Sequence, residues 1–101
     1  MINLLLSTAI NATHIQMIAQ ATTVYLPIST TQSSRANCVT YTATNATSRP
    51  VSDIYLNRRN KEGKVYKTSL LSVFGISVLE SGQKVVFDMC DNSFVNVEAR
   101  Q

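Results

Sequence analysis

Asp88 and Asp91 bracket Cys90, and the only other cysteine of this 101-residue chain is Cys38. Two close carboxylates in unlike environments can divide acid and base roles. The same pair serves equally well to cap a turn or solvate a strand end. Nucleophilic catalysis has little to draw on. The single histidine, His14, stands in an uncharged N-terminal stretch, so the rest of the chain lacks the usual base for Ser or Cys. Its glycines, Gly63, Gly75 and Gly82, are dispersed and build no phosphate-cradling loop. Structural zinc wants four ligands, which two cysteines do not supply. No catalytic residue, metal site or cofactor is expected, and an enzyme is not the expected class.

Cys38 and Cys90 read first as one disulfide, with two buried thiols as the alternative. Parity favours the bridge. Cys38 is out of phase with the apolar set Val39, Tyr41 and Ala43, and Cys90 with Val85, Phe87 and Met89. Both cysteines can then share an outer face or meet at the strand ends.

The densest charge feature is Arg58, Arg59, Lys61, Lys64 and Lys67, relieved only by Glu62. With Tyr66 beside them, these cations suit a protein or other anionic macromolecule. They equally suit a solvated hairpin tip that blocks edge-to-edge pairing. The net charge of +3 is too modest to argue for nucleic acid. Tyr25, Tyr41, Tyr55 and Tyr66 are candidates for a binding platform. Tyr41 is placed in the core, and Tyr55 and Tyr66 are expected to pair across neighbouring strands. Asn45-Ala46-Thr47 has the form of a glycan acceptor, although a Thr-rich turn explains it as well.

All nine Lys and Arg and all six Asp and Glu follow residue 34. Ahead of them, Ile2 to Ile10 is too short to cross a bilayer. It matches the apolar core of a secretory signal, and Ala19-Gln20-Ala21 supplies the small-x-small cleavage pattern. No Lys or Arg follows Met1, so the α-amino group or upstream residues would have to provide the usual positive charge. An N-terminal core strand or helix is the competing reading. Residues 1–21 are expected to be a signal peptide and 22–101 a single domain without a transmembrane segment. A domain this small buries only about 60–65% of its unfolded surface and usually needs a staple.

Short β-rich runs separated by turn residues recur after the leader. Strands are expected at Thr23–Leu26, Cys38–Thr44, Val51–Leu56, Lys64–Leu71, Lys84–Cys90 and Phe94–Ala99. The apolar run Ser72–Leu79 adds a seventh, interrupted by Gly75 as a bulge or bend. Residues 30–37 read as a polar loop. The pattern predicts an all-β fold, a small antiparallel Ig-like β-sandwich of six to seven strands.

Val39 to Glu98 resembles a family of small exported bacterial proteins of uncharacterised role. The resemblance lies in Val39–Thr47, in Val51-Ser52-Asp53-Ile54-Tyr55-Leu56, in Val78-Leu79-Glu80-Ser81-Gly82, and in Cys90 followed by Phe94-Val95-Asn96-Val97. The central loop lacks the tryptophan of that family. The resemblance implies a β-sandwich and export, and it brings no catalytic residues.

The expected function is therefore a non-enzymatic binding or interaction module of the cell envelope or secreted fraction, periplasmic or secreted in location. A small inhibitor or immunity protein that blocks an enzyme or toxin is the alternative.

Overall fold

A computed structural model describes residues 21–101. The expected leader, with His14, lies outside the described residues apart from Ala21. The remainder forms two antiparallel sheets packed face to face. Strands β1 (Thr23–Tyr25), β4 (Val51–Arg59), β5 (Val65–Ser69), β6 (Val78–Leu79) and β8 (Phe94–Arg100) make the larger sheet, in the order β1-β8-β4-β5 with β6 also on β4. Strands β2 (Ile28–Gln32), β3 (Val39–Thr44) and β7 (Lys84–Met89) make the smaller one, in the order β2-β3-β7. The small all-β sandwich expected from the sequence is the fold observed.

Three local assignments differ from expectation. The first concerns the chain after β1, which crosses to the other sheet at Leu26-Pro27 and continues as β2. The expected 30–37 loop is thus a strand as far as Gln32. Ser and Thr dominate this exposed edge strand, so no apolar alternation announces it. The second concerns the apolar run after β5, which opens as a short helix, α1 (Leu70–Phe74), and not as a strand. Ser69 caps its N-terminus by accepting from the Ser72 N–H. Gly75 ends it in the left-handed region at φ 72°, a conformation that glycine adopts without a Cβ penalty. Gly75 is therefore a helix stop and not a bulge. The third is a bulge the sequence did not show. Between Ser52 and Tyr55 the register on β8 slips by one residue, with Asp53 at φ 48°. The extra residue lets Val51 and Ile54, three apart, both face the core.

The core is Leu26, Ala43, Val51, Ile54, Leu56, Leu70, Leu79, Val85, Phe87, Met89, Val97 and Ala99. Tyr41 stacks on Phe94 at 4.2 Å between ring centroids and lies 5.7 Å from Phe87. Its expected core role holds.

Hydrogen-bond parity orders the small sheet. The Asn45 N–H donates to the Gln83 carbonyl at 2.9 Å, and the Thr44 N–H to the Pro27 carbonyl at 3.2 Å. Antiparallel ladders alternate, so odd residues of β3 bond toward β7 and even ones toward β2. Cys38 and Cys90 continue the β3–β7 register, in which Val39 faces Met89. They form a close, non-hydrogen-bonded pair with Cα atoms 4.0 Å apart, and a disulfide joins them. The bridge lies out of phase with Val85, Phe87 and Met89, as parity required.

Asn45 is fully buried and ties two turns to the sandwich. Its Nδ2 donates to the carbonyls of Arg49 (2.8 Å) and Leu79 (3.0 Å). Its Oδ1 accepts from the Thr47 N–H and hydroxyl. With both amide hydrogens engaged and no exposure, the folded chain has no room for a glycan there. Asn45→Ala removes the buried bond to the Leu79 carbonyl and the Oδ1 acceptor that organises the Thr47 turn, and is expected to cost about 2–4 kcal/mol. Urea unfolding measures this, and an unchanged midpoint would contradict it.

Candidate functional site

Three depressions open on one end of the sandwich, around the disulfide, the 33–38 segment, the β4–β5 hairpin and the β7–β8 turn. The hairpin forms because Asn60 organises its tip. The Asn60 N–H donates to the Lys64 carbonyl at 2.8 Å, and its Oδ1 accepts from the N–H groups of Glu62 and Lys64. Gly63 takes φ 86°, which permits the tight return. The Arg59 N–H also donates to the Ser93 carbonyl at 2.7 Å, fixing the hairpin against the β7–β8 turn.

The five cations grouped by sequence are not one patch. Arg58 stands on the inner-face parity with Leu56, where its Nη2 reaches Asp91 Oδ2 at 3.2 Å and its Nε donates to Ser93 Oγ. Its guanidinium lies 5.6 Å from the Tyr66 ring centre. Lys67 is on the opposite face, 3.0 Å from Glu98 Oε2 and 5.2 Å from the Tyr55 ring centre. Arg59, Lys61 and Lys64 have no carboxylate partner among the described residues, and they stand exposed at the tip with Tyr66. An open depression of about 470 Å³ is lined by Arg59, Asn60, Lys61, Tyr66, Asp91, Asn92 and Ser93.

Tyr55 and Tyr66 do not pair. Tyr55 sits opposite Ser69 and Tyr66 opposite Arg58, and the alternation of β5 puts them on different faces. The expected cross-strand tyrosine pair is thus corrected by register.

Asp88 and Asp91 are turned to separate tasks. Asp88 accepts from the Thr40 hydroxyl and from Ser33 Oγ (2.9 Å), with Arg35 at 3.8 Å. Chiefly the Thr40 bond, then Ser33 and Arg35, holds its carboxyl below the usual carboxylate range. Asp91 accepts the Ser93 N–H and hydroxyl, and these, together with Arg58, hold it low too. Both carboxyls favour the ionised form, so the two do not split into acid and base. Glu98 is pushed the same way, first by Asn57 and then by Lys67. Among the described residues no cluster of three or more His, Cys, Asp or Glu is arranged to hold a metal. No described helix is long and apolar enough to cross a membrane.

No sequence signal marks Ser33 and Arg35 as partners of Asp88, because both lie in the loop after β2 and meet it across more than fifty residues of chain. Sequence reasoning missed α1 as a source of exposed apolar side chains, Leu71, Val73 and Phe74. Comparison of the chain with protein-family models, curated proteins and solved structures finds no match. The functional reading therefore rests on the chain's own geometry.

A carboxyl that folding pushes down is protonated first in the unfolded chain. Its contribution is full above about pH 4 and is lost as the pH falls through its folded value. Asp88→Asn is expected to unfold more readily near neutrality and to lose less in acid, so that its stability curve converges on the wild type. Urea midpoints across pH measure this. Parallel curves would contradict it.

Proposed function

We propose that this chain is an exported, non-enzymatic binding module that takes an acidic protein surface on the hairpin end of its sandwich. The observation that carries the reading is the partition of the hairpin cations. Arg58 and Lys67 are paired with Asp91 and Glu98 of the same chain. Arg59, Lys61 and Lys64 stand exposed beside Tyr66, on a tip that Asn60 and the Ser93 carbonyl hold rigid. A rigid tip loses little conformational freedom on binding, and unsatisfied cations steer an anionic partner and fix its register. Tyr66 supplies the large, rigid amphipathic contact found at interface centres.

Export is supported by the disulfide, which persists in oxidising compartments, and by the signal-like pattern of residues 1–21. Protein is favoured over polyanions because the overall charge is small and the tip is mixed: Glu62, Asp91 and Asn92 lie among the cations. A polyphosphate chain favours a continuous basic track. The described residues offer three free cations at one point.

The test captures partners of the immobilised chain from envelope and secreted fractions of the source cell, then titrates the captured protein at two ionic strengths. Reversing Arg59, Lys61 and Lys64 to Glu is expected to weaken binding at low salt by at least about tenfold. The difference shrinks at high salt. Equal affinity of the two forms at low salt would refute the reading.

A further inference from the structure

The small sheet ends at β7, which pairs only with β3. Parity assigns its backbone groups. Gln83 accepts from Asn45, so the odd residues Val85, Phe87 and Met89 bond inward to β3. The N–H and C=O groups of Lys84, Val86 and Asp88 then point along the sheet to its open side. No hydrogen bond from the described residues reaches them. Such an edge is a template for another strand. Natural edges are commonly protected by Pro, by a bulge or by like charges that repel a second copy, and β7 has no Pro and no bulge. Its two charges are of opposite sign and stand two residues either side of Val86.

We infer that two copies of this chain pair antiparallel through β7, about a two-fold axis at Val86. In this register Val86 faces Val86 of the second copy, and Lys84 faces its Asp88 at both ends. Each of these is a pair whose backbone groups point outward, which gives about six new main-chain hydrogen bonds. Charge selects the register. Moving the axis to Val85 sets Lys84 against Val86 and Asp88 against Gly82. Moving it to Phe87 sets Lys84 against the bridged Cys90. Only the Val86 axis sets Lys84 opposite Asp88 at both ends; there the second copy's Lys84 joins Thr40, Ser33 and Arg35 around the Asp88 carboxylate. Apolar side chains accompany the edge. Val86 is 58% exposed, and Val73 and Phe74 of α1 are 55% and 45% exposed. Val73 and Phe74 line, with Phe87 and Met89, a groove of about 340 Å³ that opens beside β7. Residues directly opposite share a face, so the grooves of the two copies open on the same side of the joined sheet. The two small sheets then join as one. The strand pairing uses β7 and not the tip cations Arg59, Lys61 and Lys64, and it goes beyond the function proposed above.

Sedimentation of the oxidised full chain over a concentration series tests the inference. The wild type is expected to dimerise in a concentration-dependent way. Val86→Pro removes an N–H that the fold itself does not use and is expected to give a folded monomer. Lys84→Glu and Asp88→Lys each oppose two like charges and are expected to weaken self-association by at least about tenfold. An equimolar mixture of these two variants restores opposite charges at both ends and is expected to recover a heterodimer. Circular dichroism verifies folding, and Val86→Pro with Lys84→Glu carries the test if Asp88→Lys fails to fold. A wild type that stays monomeric overturns the inference. So does a dimer that survives Val86→Pro and Lys84→Glu, or a mixture of two folded variants that does not recover.

Discussion

The sulfur–sulfur link between Cys38 and Cys90 fixes one register, and much of the molecule follows from it. It joins directly opposed residues just beyond the paired ends of β3 and β7. With that pair fixed, Val85, Phe87 and Met89 turn inward onto Tyr41, Phe94 and Leu56, and Lys84, Val86 and Asp88 turn outward. A slip of one residue would exchange the two sets. In so small a domain the apolar core is marginal, and a covalent constraint on the unfolded chain supplies what packing alone does not. Closing a loop of this length contributes about 4 kcal/mol on the chain-entropy model.

The same end of the sandwich gathers the polar chemistry. Asp88 is held on the outer face by Thr40 and Ser33, next to the bridge, and Asp91 caps the turn that follows it. Asp91 also binds Arg58, which anchors the hairpin. The exposed cations of the tip are thus presented from a base whose own charges are already paired. Staple, turn and hairpin form one mechanical unit, with the open β7 edge along its flank.

Much of this was legible in the sequence, and the failures have physical causes. The bridge was legible because the chain has only two cysteines and a leader-like start. Phase supported it, since each cysteine sits outside the apolar set of its own strand. Tyr41 was legible as core from the same phase. Strand β2 was not, because an exposed edge strand of Ser and Thr carries no period-two apolar signal. Helix α1 was not, because one turn of Leu, Val and Phe is too short to show a helical period. The bulge at Asp53 was hidden because nothing in Val51–Leu56 demands a left-handed residue. The basic run read as one feature because Asp91 and Glu98, which remove Arg58 and Lys67 from it, lie more than thirty residues away.

The role given to the bridge is tested most directly by urea unfolding of the oxidised and dithiol forms at one pH, with non-reducing mass confirming each state. The dithiol form is expected to lose about 4 kcal/mol, enough to leave so small a domain largely unfolded without denaturant. Superimposable unfolding curves for the two forms would contradict that role, and the fold would then owe its register to apolar packing alone.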